Sequence, residues 1–415
     1  MKKLIALFLT ICLLASLLAG CTDNSSKDLL TNIKPSNSQT RSLAEFTNEP
    51  QAVSDFSVRL FQHSLNQNPH KNTLVSPLSV LLALSMTANG AEGETLAQME
   101  AEFGLPMEQL NEYLLAYVNQ LPQGDKYKLN IANSIWLRDD PELLVKQEFL
   151  QTNANFYQAQ IYQAPFNAST VNDINKWVRY HTNRMIGQII EEISPNTMLY
   201  LINALSFEAE WETIYKEYQI WPDTFTTEDG QKQQVDFMYS GESLYLENAD
   251  CRGFIKYYLS QKYAFVALLP NEGLTVADLA NRLDGAQLQA LLDNVQQTTV
   301  HAALPKFSVE YDCNMNDILQ QMGLTDAFNP ALADFSGIAD YPLFINQVLH
   351  KTRLVVDEKG TKAGAATAVG PEAGYMTKET QEVYLDRPFI YLLIDCQTQQ
   401  PLFIGTVMEL EEQTT

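Results

Sequence analysis

Hydrophobic residues recur along this chain in three rhythms, and each rhythm predicts a different kind of element. Residues 4–18 form an almost unbroken apolar run behind Lys2 and Lys3. A charged start, a short apolar core and the small residues Ala19 and Gly20 make a secretory signal, too short to span a bilayer with margin. Helical spacing comes next: Val53, Phe56, Leu60, Phe61 and Leu65 share one face over residues 52–65. Ser76 before Pro77 is a helix cap with proline in the first turn, and an apolar helix follows. Another helix opens at Ile174, Trp177 and Val178 and is expected to end near Gly187. Short apolar runs at 129–137, 201–211, 263–270, 386–395 and 401–407 read as buried strands, the last two as a terminal hairpin. The first run has asparagines inside it, and Asn203 lies inside the second. A buried asparagine must find hydrogen-bond partners.

Period two, the third rhythm, sets residues 350–378 apart. Arg353, Val355 and Asp357 alternate with Leu354 and Val356 in a strand that closes at Asp357 and Glu358. Gly360 follows as a backbone pivot, because a residue without Cβ turns where others cannot. Residues 361–370 are small and nearly uncharged, yet they keep the alternation. Thr361, Ala363, Ala365, Thr367, Val369 and Pro371 occupy one phase; Lys362, Gly364, Ala366, Ala368, Gly370 and Glu372 occupy the other. Both charges fall on the second phase. A flexible linker has no use for that phasing, whereas a segment that slides into a sheet with one face toward a core requires it.

Composition divides the chain further. Residues 22–45 are rich in Ser, Asn, Thr and Lys without periodicity, and are expected to be a solvated tether, here taken as 21–48. Residues 49–415 contain no second low-complexity break and no internal repeat, which predicts a single domain. The net charge is −23, and removing Lys2 and Lys3 with residues 1–20 takes it to −25. So acidic a chain excludes a polyanion-binding role: no nucleic acid, and no heparin-type activator. Beyond Cys12 and Cys21, the three cysteines Cys251, Cys313 and Cys396 allow at most one disulfide and show no metal spacing.

Candidate chemistry is sparse. Ser76 and Ser79 invite a nucleophile reading, but neither G-x-S-x-G nor S-x-x-K occurs. The histidines His63, His70, His181, His301 and His350 stand singly, with no H-x-x-x-H pair. No catalytic residue, metal site or cofactor is expected, and the protein is not read as an enzyme. Cys21 directly after Leu18-Ala19-Gly20 resembles the cleavage site of bacterial lipoproteins, which implies that Cys21 becomes an acylated N-terminus.

The stretch HKTRLVVDEKGTKAGAATA resembles the hinge of the reactive-centre loop of serpins, the serine protease inhibitor family. Further motifs follow in that family's order between Asn72 and Val407. They include Ser76-Pro77-Leu78-Ser79, Gly90-Ala91-Glu92-Gly93-Glu94-Thr95, the run through Asn203 to Trp211, and Leu304-Pro305-Lys306-Phe307. Each is modest alone; together they are specific. The resemblance implies an α+β fold of about nine helices around three β-sheets, with an exposed loop at about 358–378 that inserts into the central sheet. It places Ser76, Ser79, Asn203 and His350 in the shutter beneath that sheet, and Trp211 at the breach where insertion starts. The hinge would comprise Glu358, Gly360, Thr361, Ala363, Ala365, Ala366 and Thr367.

The reactive bond implied by the family's spacing is Gly374–Tyr375, with Tyr375–Met376 and Met376–Thr377 as alternatives. Two departures stand out. Lys362 replaces a common glutamate on the solvent phase. Pro371, on the inward phase, cannot donate to a ladder and limits insertion to about Val369 or Gly370. The function implied is inhibition of chymotrypsin-, elastase- or subtilisin-like serine proteases, extending to papain-like cysteine proteases. The mechanism is suicide-substrate trapping by a monomer anchored through Cys21 to the outer side of a bacterial membrane. The alternative is a serpin-fold binding lipoprotein that is cleaved without trapping.

Overall fold

Alternate side chains of one central strand feed two separate hydrophobic cores, and this two-sidedness organises the molecule. The computed structural model describes residues 26–36, 40–157, 160–361 and 380–410. In chain order its first strands are β1 (Lys27–Asp28), β2 (Leu74–Val75), β3 (Tyr127–Arg138), β4 (Gln160–Ala164), β5 (Leu199–Glu210), β6 (Ile220–Thr226), β7 (Lys232–Glu247) and β8 (Cys251–Tyr257). They are followed by β9 (Tyr263–Pro270), β10 (Gln296–Pro305), β11 (Phe307–Asn314), β12 (Gln347–Asp357), β13 (Gly360–Thr361), β14 (Thr380–Tyr384), β15 (Phe389–Asp395) and β16 (Pro401–Val407). Nine α-helices lie among the described residues.

The central sheet has seven strands in the order β1-β4-β3-β5-β13-β12-β11. On β5, Leu201, Leu205 and Phe207 join the main core, while Tyr200, Ile202 and Ala204 join a second cluster with Ile174, Trp177 and Val178. The first face rests on the helix Pro77–Ala88, whose residues are all buried. The second is covered by the helix Ala168–His181, capped by the Asn167 side chain. That helix stops at His181, short of Gly187, because Asn183 and Arg184 take positive φ and turn the chain out of the helix.

The remaining strands form a nine-stranded array, β14-β10-β7-β8-β9-β15-β16-β2, with β6 on the other side of β7. The three implied sheets are thus hydrogen-bonded as two arrays, since the 16-residue β7 runs from one sheet into the next. Cys251, Cys313 and Cys396 are all free thiols. Among the described residues no helix is long and apolar enough to cross a membrane, and no cluster of His, Cys, Asp or Glu could hold a metal ion.

One segment departs from expectation. Residues 26–36 and 40–48 do not form a solvated tether. β1 pairs antiparallel with β4 at the sheet edge, Lys27 opposite Gln163 and Asp28 opposite Tyr162. Leu29, Leu30 and Ile33 pack against the core, Ser26 Oγ donates to Asp173 at 2.6 Å, and Phe46 is buried edge-on against Tyr113. The short apolar pairs of this segment carry no period that would have distinguished them from a polar linker.

A buried polar lock and a parted sheet

The central strands bring three polar side chains into one row. Asn133 on β3 lies opposite Asn203 on β5, and Asn203 lies opposite His350 on β12. Below them the N-terminus of the helix Pro77–Ala88 contributes Ser76 and Ser79. Asn203 Nδ2 donates to Ser79 Oγ at 2.6 Å and to Asn133 Oδ1 at 2.7 Å, and Ser79 Oγ donates to the same Asn133 oxygen at 3.1 Å. Ser76 Oγ accepts from the Ser79 backbone N–H at 3.4 Å and so caps the helix.

The histidine tautomer follows from its neighbours. The Ser76 backbone N–H donates to His350 Nε2 at 3.3 Å, so that nitrogen carries no proton. Its Nδ1–H therefore donates to the Asn203 carbonyl oxygen. Burial pushes the His350 pKa down to about 3, and the ring stays neutral. Neither serine hydroxyl bonds the imidazole, so no nucleophile–base pair exists here. Four predicted residues, Ser76, Ser79, Asn203 and His350, are brought together in one network. Asn133, its fifth member, was visible only as one of several asparagines in a buried run, because the sequence did not say which face each would take.

The second site lies about 20 Å up the same strands, at the end of β5 that carries Ala209 and Glu210. β5 and β12 pair directly, in parallel, only from Tyr200–Gln347 to Leu205–Thr352. Above that they part, and Gly360 and Thr361 occupy the gap as β13. There Gly360 lies opposite Glu210 and Asp357, and Thr361 opposite Ala209 and Val356. Of the residues expected in the hinge, Gly360 and Thr361 are thus paired with the central sheet. Gly360 has φ +151, and a Cβ there would stand 2.0 Å from the Ala209 carbonyl oxygen. Only glycine fits.

Trp211 holds the turn that leads into β13. Its indole N–H donates to the Asp357 carbonyl at 2.9 Å, its backbone N–H to the Lys359 carbonyl at 2.9 Å, and its ring stacks on Tyr258. Tyr258 in turn shares a 2.5 Å hydrogen bond with the Thr361 hydroxyl. Glu358 forms an ion pair with Lys306 at 2.9 Å, and Tyr215 N–H donates to the Glu358 carbonyl. Burial, the largest single influence, works to raise the Glu358 pKa, but the Lys306 hydrogen bond and charge, a backbone hydrogen bond and the Lys359 charge together outweigh it, and the net shift is downward.

Beneath these rings Lys256 is almost wholly buried, 2.8 Å from Glu242 and 4.5 Å from the centre of the Tyr215 ring. Burial alone would lower its pKa; the charges and hydrogen bonds of Tyr215 and Glu242 reverse the shift, and the net direction is upward. Tyr215, Tyr258, Glu242 and Lys256 carried no sequence signal, because they come from separate segments that meet only in the folded structure. Of the remaining predicted site residues, Cys21, Ala363, Ala365, Ala366, Thr367, Gly374, Tyr375 and Met376 lie outside the described residues, as do Lys362 and Pro371.

The central sheet is thus parted around Gly360 and Thr361, with a polar row closing it below. The serpin (serine protease inhibitor) family model matches residues 51–410. The chain belongs to the serpin family. It is 31% identical over 368 residues to a serpin-like protein of Thermococcus kodakarensis, covering 86% of this chain and 84% of that one. To a serine protease inhibitor of Cyanea capillata it is 29% identical, covering 85% and 96%. The solved native state of the thermophilic serpin tengpin superposes with a TM-score of 0.88 at 44% identity, over 93% of this chain and all of that one. Serpins are in general protease inhibitors and not enzymes, and this serpin carries the family's α+β fold over nearly all of its domain.

Two expectations follow for the described site. His350 has a pKa of about 3 in the fold, below the ordinary 6.5, so the unfolded chain binds a proton that the folded chain refuses. Stability is then full above pH 6.5 and falls as the pH drops toward 3, by about 1.4 kcal/mol per unit. Urea unfolding at about pH 7.5 and pH 5 should show a loss of about 2 kcal/mol that His350→Gln abolishes. An unchanged slope in the variant would remove His350 as its source. Gly360→Ala should expel β13, seen as faster hydrogen exchange at the Trp211 and Tyr215 amides, with the shutter row still protected.

Proposed function

We propose that this serpin inhibits serine endopeptidases by trapping them after cleavage of its reactive-centre loop. The observation that carries the proposal is the gap between β5 and β12, already occupied by Gly360 and Thr361 in antiparallel register with both strands. Opening the rest of the sheet breaks one short parallel ladder and closing it around a new strand makes two antiparallel ladders. About ten new backbone hydrogen bonds at roughly 1 kcal/mol net each favour the closed product.

The register also states where each residue of an entering strand would go. Continued from Thr361, residue 367 falls between Asn203 and His350, and residue 370 between Tyr200 and Gln347. Thr367 is thus the one hydroxyl of the run aimed at the polar row. Its side chain replaces the His350–Asn203 hydrogen bond that insertion breaks. Gly370 meets the first residue of β12, so Pro371 falls where the ladder ends and its missing N–H costs nothing. The length of the slot matches the proline-free run.

The chemistry is that of a peptide bond held open. The protease serine Oγ adds to the carbonyl carbon at Gly374, the C–N bond to Tyr375 breaks, and the proton passes to the new amino group of Tyr375. An ester joins protease and inhibitor. Insertion then carries residue 374 past Leu199, and the distorted protease cannot complete hydrolysis. Cleavage at Tyr375–Met376 follows the same steps one residue on. Chymotrypsin-, elastase- and subtilisin-like enzymes suit these residues, and papain-like cysteine proteases would form the equivalent thioester.

Mixing the form that begins at residue 22 with chymotrypsin, elastase, subtilisin and trypsin should give a covalent adduct of summed mass and a released peptide starting near Tyr375. Thr367→Val should leave the first cleavage unchanged and divert severalfold more encounters to free protease. Clean loop cleavage with full protease activity left would instead make this a substrate-like binding serpin. The sequence ahead of the domain supports an anchor at Cys21 outside the cytoplasm. Intact mass of the detergent-extracted N-terminal peptide should show an acylated Cys21; an unmodified N-terminus at another residue would refute it.

A further inference from the structure

Three of the six exposed large hydrophobic residues among the described residues lie at one corner of the nine-stranded array: Tyr218 at 71%, Trp221 at 45% and Tyr384 at 38%. Single exposed aromatics need no explanation, but a contiguous group does. Trp221 on β6 stacks on Tyr239 of β7 with centroids 3.8 Å apart and planes 7° from parallel. In the next two strands Tyr239 lies opposite Ala303, and Ala303 opposite Tyr384. Ala303, between the two tyrosines, is buried. The strip crosses four strands, about 15 Å at ordinary strand spacing.

Its position ties it to the loop. β14, which ends in Tyr384, resumes the described chain directly after the loop at Thr380. On the other side, the Ser240 hydroxyl beside Tyr239 bonds the Tyr215 hydroxyl at 3.3 Å, and Tyr215 binds the hinge at Glu358. The strip therefore adjoins the strand that follows the loop and lies one residue along β7 from a contact of the Glu358 turn. An interface of ordinary size covers about 800 Å² per partner, a patch about 30 Å across, so a body gripping the loop reaches it. Glu217, Asp223 and Glu382 are exposed around it, against the cation Lys216 lying 5.8 Å over the Tyr218 ring, and Tyr239 OH donates to Asp223 at 2.6 Å. Aromatic faces ringed by carboxylates fit guanidinium or ammonium groups.

We propose that this aromatic strip is a second docking surface for the target protease, taking an Arg- or Lys-bearing surface loop outside the protease's active-site cleft. The inference rests on the reading that the reactive-centre loop is cleaved by a protease. Contacts of this kind raise the rate of encounter and leave the fate of the acyl-enzyme untouched.

The test compares the wild type, Trp221→Ala/Tyr384→Ala and Trp221→Phe against the same four proteases, following loop cleavage and adduct together. With the protease that reacts fastest, the double variant should lose about tenfold in second-order rate, equivalent to about 1.4 kcal/mol. Trp221→Phe should retain most of the rate, and the ratio of adduct to cleaved inhibitor should not move. Raising salt from about 0.05 to 0.5 M should slow the wild type more than the double variant. A double variant that keeps its thermal midpoint and reacts within about twofold of wild type with every cleaving protease would overturn the proposal. Cleavage of the wild type without adduct would sink trapping alone, and the rate ratio would still decide this surface. If no protease cleaves the wild-type loop, both readings fall.

Discussion

The direct ladder between β5 and β12 is only six residue pairs long, and the rest of the structure is arranged around its shortness. Parallel pairing is slightly weaker per residue than antiparallel pairing. Above Thr352 it is abandoned altogether and two residues of the hinge stand in the gap. Below, a row of neutral polar side chains fastens the strands to each other and to the helix beneath. Hydrogen bonds of this type break without leaving a buried charge, so the lock is firm yet reversible. Had His350 been protonated, opening would have exposed or stranded an ion.

The upper end is built differently. There the chain is held by an ion pair, two indole and backbone hydrogen bonds, and a stack of rings over the buried Lys256–Glu242 pair. A buried charge pair is costly to disturb by halves, because removing one partner leaves the other without compensation. The breach is therefore a rigid frame around a movable turn. The turn enters the sheet at Gly360, where a Cβ would collide with the Ala209 carbonyl.

Much of this was legible in the sequence. Helical and strand periods located the helix Glu49–Gln67 and β9 closely, and the burial of Thr361 agrees with the inward phase read from alternation. Asn203 announced a network by being polar in an apolar run. What stayed hidden was pairing. Asn133 could be assigned to the row only once the β3–β5 register was known. β1 was hidden because two ladder residues leave no pattern, and the helix ending at His181 because nothing foretold left-handed conformations at Asn183 and Arg184. Partners such as Tyr215 and Lys256 come from distant segments, and their role exists only in three dimensions.

β1 has a geometric consequence for a chain anchored through Cys21. The body begins at Ser26, five residues from the anchor, a reach of about 17 Å. Ser26 lies near the level of Leu199, the end of the central sheet remote from Gly360, so an anchor at Cys21 would leave Gly360 at the end away from the bilayer. On the proposed trapping mechanism, a protease carried down with residue 374 would arrive on the bilayer side, where a folded enzyme would have too little clearance. Either the molecule tips onto its flank or the two-residue β1 ladder peels away and lets out the slack of residues 26–48. The weak first strand would then act as a ripcord, lengthening the leash at the moment the captive needs room.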